Sequence, residues 1–260
     1  MSEILLKVMT LNIWCYSPPW DVRKRLIAEE IRRHSPDMVG LQEVVSDPQF
    51  DEDGKNQAVQ IAELLPGYEA VSSLRTVPGA GRPVKAGLAI LSRLPMVETN
   101  DMDLTYSVEL NPHPRVVLGA RIKVSGKELY FVVTHLSTHA PDRLVEAKEL
   151  AHFIERYSSG LPVVVVGDFN EEPHEPVILF MKGLNEIDGT KLKFKDAWEE
   201  VRPDEEGFTY KTPDPYMRID YIFVTPSIEV LECQLVCNEP DANGVYPSDH
   251  LGVLATILIT

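Results

Sequence analysis

The chain has 260 residues, with 25 basic and 40 acidic side chains and a formal net charge of −15. The apolar share of 44% is ordinary for a globular protein and excludes a disordered chain. The negative charge disfavours binding to nucleic acid through general electrostatic attraction, although it leaves such binding possible. We expect one domain over residues 1–260.

The cysteines and the longest apolar run of the chain indicate the cellular compartment in which the protein is expected. Cys15, Cys233 and Cys237 are odd in number and lack zinc-ligand spacing, which predicts free thiols in a reducing compartment. The longest apolar run, over 161–167, is too short to cross a membrane, and the N-terminus lacks the pattern of a secretory signal. The sequence therefore predicts a cytoplasmic protein without a transmembrane segment, and it shows no sign of an obligate protein partner.

Short apolar runs that end in a polar residue recur along the chain and predict buried strands, while segments with apolar residues three or four positions apart predict helices. In chain order the predicted elements are a strand over 5–11, a helix over 21–34, a strand over 38–41, a helix over 56–65, strands over 116–122 and 129–134, a helix over 142–157, and strands over 163–166, 218–224 and 252–259. Long loops are predicted over 46–55, 72–85, 100–115, 201–217 and 238–248. This alternation indicates an α/β protein with mixed sheets.

Polar residues cluster at the ends of the predicted strands. They are Asn12, Glu43, His135, Asp168, Asn170, Asp220, Asp249 and His250. Any one of them fits a turn or a helix cap, but the set does not, because turns do not need histidines and helix caps do not need glutamate. In α/β folds the ligand site lies beyond the carboxyl ends of the strands, so we expect these side chains to meet in one cleft.

The chemistry of these side chains suits a phosphate ester. Carboxylate and amide oxygens are the ligands that Mg²⁺ or Mn²⁺ prefers, and a histidine can transfer a proton or stabilise phosphoryl charge. The sequence has no Cys/His cluster, no His-Glu-x-x-His motif and no P-loop, which removes support for a zinc protease and excludes P-loop nucleotide binding. The residues therefore predict metal-dependent hydrolysis of a phosphate ester.

Seven motifs, in family order, resemble the endonuclease/exonuclease/phosphatase superfamily, which includes pancreatic-type deoxyribonucleases, neutral sphingomyelinases and inositol polyphosphate 5-phosphatases. The motifs are TLNIW (10–14), GLQEV (40–44), GLAILSR (87–93), VVTHLS (132–137), VVGDFN (165–170), RIDYIF (218–223) and SDH (248–250). The resemblance implies a four-layered α/β sandwich of two packed mixed β-sheets flanked by helices.

The resemblance also implies a metal site and a water-binding pair. Glu43 would be the principal carboxylate ligand of Mg²⁺ or Mn²⁺, with Asn12 beside it and Asp249 completing the metal environment. Asp168 and Asn170 would position the attacking water and hold the scissile phosphate.

The resemblance also implies roles for two histidines and an arginine. His250 would be the general acid/base, with Asp220 fixing its tautomer. His135 and Arg115 would contact the phosphate. Ala86-Gly87 stands where pancreatic-type deoxyribonucleases carry an acidic residue that pairs with the His135 equivalent, which weakens assignment to that branch.

Three other residues lie close to the motifs. Trp14 lies two positions after Asn12 and is expected in the core, since aromatic side chains at strand ends bury large areas there. His139 and His174 follow two of the motifs closely and are expected on surface loops.

Three functions remain open at this stage. Hydrolysis of a small-molecule or phospholipid phosphoester is favoured by the acidic composition. A Mg²⁺-dependent endo- or exonuclease is the alternative, and it would use the basic residues Arg75, Arg82, Lys85 and Arg93. A catalytically silent binding module is disfavoured, because every metal and histidine position of the family is present.

Overall fold

The computed structural model describes residues 3–110 and 113–260. Its strands are β1 (Ile4–Asn12), β2 (Met38–Ser46), β3 (Glu69–Thr76), β4 (Lys85–Ser92), β5 (Met96–Asp103), β6 (Val116–Val124), β7 (Lys127–His135), β8 (Val163–Asp168), β9 (Lys195–Asp196), β10 (Asp220–Val224), β11 (Ile228–Val236) and β12 (Gly252–Ile259). Its helices are α1 (Trp20–His34), α2 (Gln57–Glu63), α3 (Ala140–Ser158), α4 (Pro176–Met181) and α5 (Ala197–Val201).

These strands form two six-stranded sheets, ordered β11-β12-β1-β2-β4-β3 and β5-β6-β7-β8-β10-β9. One pair in each sheet is parallel, β1 with β2 and β7 with β8. The other strand pairs are antiparallel. Both sheets are therefore mixed, as the sequence predicted.

Three apolar clusters stack the elements into four layers. One lies between the sheets and joins Val8 and Ile90 of the first to Phe131 and Val166 of the second. The other two join each sheet to its helices, α1 and α2 on the first and α3 and α4 on the second. Burial of apolar faces on both sides of each sheet drives this arrangement. The predicted four-layered α/β sandwich is confirmed.

The two sheets approach each other closely where Gly40 of β2 faces Val166 of β8 and Val133 of β7. A Cβ at Gly40 would lie 2.4 Å from a methyl group of Val166 and 2.8 Å from one of Val133. Glycine is therefore required at this position by the spacing of the sheets, and the same spacing brings the strand ends of the two sheets together.

Two of the predicted loops are partly strand. β3 takes up the first part of the 72–85 segment, and β5 extends into the 100–115 segment, of which residues 111 and 112 lie outside the described part of the chain. Both are edge strands and are largely exposed or half-buried, so they lack the apolar run that marks a buried strand. Among the described residues, no helix has the length and apolar character needed to cross a membrane.

Candidate active site

The predicted site residues lie at one end of the two sheets. Asn12, His135 and Asp168 end β1, β7 and β8. β10 and β12 run antiparallel to β8 and β1, so Asp220 at the start of β10 and the segment before β12 reach the same end. Strand direction thus gathers residues that are far apart in the sequence.

A β-bulge in β2 aims Glu43 at this end. The register with β4 shifts between Leu41 and Val44, and Glu43 has a left-handed backbone with φ of 57°. This conformation is costly for a residue other than glycine, and such strain clusters at functional sites. The Glu43 carboxylate accepts hydrogen bonds from Asn12 Nδ2 at 3.2 Å and from Cys15 Sγ at 3.1 Å.

Asp168 lies at the centre of the cluster. Its Oδ2 accepts a hydrogen bond from Asn12 Nδ2 at 3.1 Å and lies 3.3 Å from His135 Nε2 and 3.9 Å from His250 Nε2. Its Oδ1 accepts from the backbone N of Asn170 at 2.9 Å. Burial and the negative charge of Asp220 raise the pKa of Asp168 to about 7.

His250 and Asp220 form a buried pair, with His250 Nδ1 2.9 Å from Asp220 Oδ2. Burial lowers the pKa of His250, but the charges of Asp220, Asp168 and Asp249 outweigh it and raise the pKa to about 10. The ring is therefore an imidazolium at neutral pH: Nδ1–H donates to Asp220, and Nε2–H faces Asp168. The ring of Tyr210 packs on His250, with centroids 4.7 Å apart.

His135 differs from His250 in charge. Burial and the positive charges of Arg115 and His250 hold its pKa well below the ordinary value, so it is neutral at pH 7. Its Nε2 lies 3.1 Å from Asn170 Nδ2, which also donates to the Leu136 carbonyl at 2.8 Å. The amide of Asn170 therefore ties the ring to the backbone that follows β7.

Arg115 is the remaining predicted site residue. Its guanidinium is buried, and its Nε has no hydrogen-bond partner among the described residues. No carboxylate in the described ranges lies within 4.0 Å of it. A buried guanidinium with spare donors is suited to binding an anion.

These side chains line a cleft of about 500 Å³. Of the nine predicted site residues, seven face the cleft: Glu43, Arg115, His135, Asp168, Asn170, Asp249 and His250. Asn12 and Asp220 are buried and hydrogen-bond to residues of the lining.

The lining also contains residues that the sequence analysis missed or misplaced. His113, two positions before Arg115 in the NPHPR stretch, faces the cleft, and its place beside a predicted site residue was the available signal. Trp14, expected in the core, is half-buried and lines the cleft. It stays at the surface because its backbone N–H bonds Asn12 Oδ1 at 3.0 Å in a left-handed turn. His139 and His174 do not line this cleft.

The residues around Glu43 fit a divalent cation. Glu43 and Asp249 both face the cleft, and burial and the charge of Glu43 raise the pKa of Asp249. Within the described residues no lysine or arginine pairs with either carboxylate. A cation would relieve this repulsion, and oxygen ligands favour a hard one. A second cluster, Asp168, Asp220 and His250, has ligand atoms within 4.8 Å of one another, but the latter two already bond each other.

Arg23 of α1 fixes the backbone around the metal-binding residues. Its guanidinium is fully buried and donates to the carbonyls of residues 13, 14, 15, 17 and 247 at 2.7–3.2 Å. One side chain thus joins the segment after Asn12 to the segment before Asp249. Its rigid, five-donor shape matches this ring of carbonyl groups.

The basic segment proposed for nucleic-acid binding is largely neutralised. Arg75 pairs with Asp101 and Asp103, Arg82 with Asp47, and Arg93 with Asp37. None of these arginines lines the cleft of about 500 Å³. These three arginines therefore do not provide a positive wall beside the candidate active site.

The sequence profile of the Endonuclease/Exonuclease/phosphatase family matches residues 9–250. The chain belongs to this family. Phosphoester hydrolysis, the predicted reaction class, is the chemistry of the family, and the predicted membership is confirmed.

Individual relatives are distant. A Caenorhabditis elegans protein named "Putative neutral sphingomyelinase" is 26% identical, over 98% of this chain and 67% of its own length. Nocturnin of Drosophila melanogaster is 24% identical over 90% of this chain and 41% of its own length, so the chain spans only part of these relatives. The crystal structure of a family protein from Bacteroides thetaiotaomicron superposes with a TM-score of 0.77 at 22% identity, over 100% of this chain and 96% of that one.

Proposed function

We propose that the protein hydrolyses a phosphodiester or phosphomonoester by in-line attack of water, with Mg²⁺ or Mn²⁺ bound at Glu43 and Asp249. The observation that carries this proposal is the position of Asp168 between the neutral ring of His135 and the protonated ring of His250. A carboxylate with a pKa of about 7, beside an imidazolium with a pKa of about 10, supplies a base and an acid at neutral pH.

The proposed steps use these groups directly. Asp168 accepts a proton from the attacking water, which the side chain of Asn170 helps to orient. Neutral His135 and the guanidinium of Arg115 donate hydrogen bonds to the phosphoryl oxygens. His250, held by Asp220, donates the proton from Nε2 to the leaving oxygen. A divalent cation, when bound, supplies charge neutralisation as negative charge builds on the phosphate and the leaving group.

A small-molecule or phospholipid-type phosphoester is the substrate class we favour. The net charge of −15 and the neutralised arginines of the 75–93 segment support it over a nuclease. The name of the Caenorhabditis elegans relative is consistent with a phospholipid. A nuclease remains the alternative, and a cytoplasmic location stays a prediction based on the cysteines.

A substrate panel tests the proposal. Purified protein is incubated with Mg²⁺, Mn²⁺ or excess chelator and given phosphocholine and inositol-phosphate esters, simple phosphodiesters, single-stranded DNA and plasmid. We expect cation-dependent hydrolysis of small esters that His250→Ala abolishes. Full activity in chelator contradicts the metal dependence, and cleavage of nucleic acid alone supports the nuclease. Binding without hydrolysis supports the silent module.

A further inference from the structure

One face of α3 carries three acidic residues, Asp142, Glu146 and Glu149, whose spacing of four and three positions puts them on the same side of the helix. Asp142 accepts hydrogen bonds from the backbone N and the hydroxyl of Ser107 at 2.8 and 2.9 Å. Glu149 accepts from the same two groups of Thr105 at 2.8 and 2.7 Å. This face of α3 therefore packs against the chain that follows β5.

The two chain segments that adjoin Arg115 both contact this helix face. The backbone N of Leu104, at the start of the segment that bonds Asp142 and Glu149, donates to the Arg115 carbonyl at 2.8 Å. The antiparallel pairing of β6 with β7 brings Arg115, directly before β6, beside the residues that follow β7. Glu146 bonds to Ser137 in that second segment. The middle acidic residue of α3 therefore lies on the side of the helix that is turned towards Arg115.

Glu146 is a fully buried carboxylate. Its Oε2 accepts from the backbone N of Ser137 at 2.7 Å, and its Oε1 accepts from the Ser137 hydroxyl at 2.6 Å, short distances that are typical of bonds to an ionised group. In the described part of the chain no lysine or arginine lies within 4.0 Å of it. A glutamine could serve both groups of Ser137, so these hydrogen bonds do not explain a buried charge, which is costly without an ion pair.

The positive group on which this charge acts is Arg115. Burial lowers the pKa of Arg115, and Glu146 is the carboxylate that opposes this most strongly. Burial in turn raises the pKa of Glu146, and the bonds from Ser137 and the charge of Arg115 act against it. Because the Arg115 Nε has no hydrogen-bond partner among the described residues, Glu146 opposes the charge of the guanidinium without using this N–H group.

We propose that Glu146 is a specificity-determining residue that weakens the binding of anions at Arg115, and that it does so more strongly for a dianion than for a monoanion. A fixed negative charge near the guanidinium repels an incoming anion in proportion to the charge of that anion. This inference rests on the proposed function, in which Arg115 contacts the phosphate. Equally tight binding of substrate and product phosphate would not raise the rate, so Glu146 favours release of the product.

Two tetrahedral anions that the protein cannot hydrolyse test this role. Sulfate carries two negative charges at neutral pH, and methanesulfonate carries one. Each is titrated in the presence of Mg²⁺ while the NMR shift of the Arg115 Nε–H is followed, a signal that is assigned by its loss in Arg115→Met. In Glu146→Gln we expect methanesulfonate to bind about threefold tighter and sulfate about tenfold tighter, because the Coulomb energy doubles with the charge of the ligand.

Three further variants separate charge from shape. Glu155→Gln makes the same change at an exposed position of α3 and should leave both affinities unchanged. Ser137→Ala removes the hydroxyl that bonds to Glu146 but keeps the negative charge, so neither anion should bind more tightly. Glu146→Met removes the charge with an apolar side chain of similar length. It should reproduce the result of Glu146→Gln and replaces that variant if the glutamine protein does not fold.

The outcomes distinguish this role of Glu146 from the proposed function. Unchanged or weaker sulfate binding in a folded Glu146→Gln or Glu146→Met protein overturns the role, and so does equal tightening of the two anions, which a change of shape would produce. If that happens while the anions still shift the Arg115 signal, the proposed function stands. If neither anion shifts that signal, both the role of Glu146 and the phosphate contact of Arg115 are wrong. Charge-dependent tightening in a protein that hydrolyses no ester supports the role of Glu146, and the proposed function alone fails.

Discussion

Asp168 and Asp220 face each other as register partners on the antiparallel strands β8 and β10, so two buried carboxylates lie side by side. Such a pair is costly unless a positive charge is close by. The His250 ring supplies it, with Nδ1 at 2.9 Å from Asp220 and Nε2 at 3.9 Å from Asp168. Because His250 contacts both carboxylates, the proton on its ring determines whether their negative charges are balanced.

Replacing Asp220 with Asn tests this pair. The substitution keeps the shape but removes the charge that holds His250 protonated and oriented. We expect kcat to fall by roughly two to four orders of magnitude, the range for acid–base groups, with little change in KM because Asp220 lies outside the cleft lining. Thermal unfolding measured in parallel distinguishes a structural role, which would lower stability while kcat is largely kept.

The pH dependence of stability follows from His250. Its pKa is about 10 in the folded protein, against 6.5 for the free group. The folded protein keeps a proton that the unfolded chain loses, so this stabilisation is full below pH 6.5 and is lost as the pH rises to about 10. Melting temperatures in chelator should fall across this window, and less steeply in Asp220→Asn. Parallel slopes for the two proteins would contradict the assignment.

Glu43→Gln tests the metal site. Loss of the carboxylate should weaken binding of Mg²⁺ or Mn²⁺ at least about tenfold, measured by calorimetry, because a neutral amide is a poorer ligand for a hard cation. Glu206→Gln, at an exposed acidic position in the 201–217 loop, is the control and should bind normally. If Asp220→Asn removes binding and Glu43→Gln does not, the metal belongs at the cluster of Asp168, Asp220 and His250.

Arg115→Met tests the predicted contact with the phosphate. Loss of a charged donor should raise KM about ten- to a hundredfold, since a hydrogen bond to a charged group contributes about 1.5–3 kcal/mol. Arg121→Met, on the same strand and paired with Glu98, is the control for general effects on β6. Equal KM values for the two variants would count against a role for Arg115 in binding.

Arg23→Lys tests the bridge between the segments beside Asn12 and Asp249. Lysine has fewer donors, so carbonyl groups would remain buried without partners, each at a cost of about 1–3 kcal/mol. We expect the free energy of unfolding in urea to fall by about 3 kcal/mol and metal affinity to weaken. Arg25→Lys, two positions along α1 and exposed, should change neither quantity. An unchanged metal affinity with lowered stability would limit Arg23 to a structural role.

Strand positions were predictable for most of the strands that are buried on both faces. Val163 to Val166 are all apolar because one face of β8 packs against the helices and the opposite face packs against the other sheet. β3 and β5 escaped prediction because edge strands are exposed, so their polar residues do not differ from those of a loop. The sequence could not show that Trp14 stays at the surface, since its left-handed turn and its bond to Asn12 form only in the fold.

The sequence by itself determined the α/β class, the family and the residue types of the site, because apolar periodicity and motif residues are local properties of the chain. Tertiary structure decided the contacts: the bulge that aims Glu43, the carboxylates that keep His250 protonated, the neutralised arginines and the surface position of Trp14. These depend on strand register and on the spacing of two sheets, and such distances arise only when segments far apart in the chain pack together.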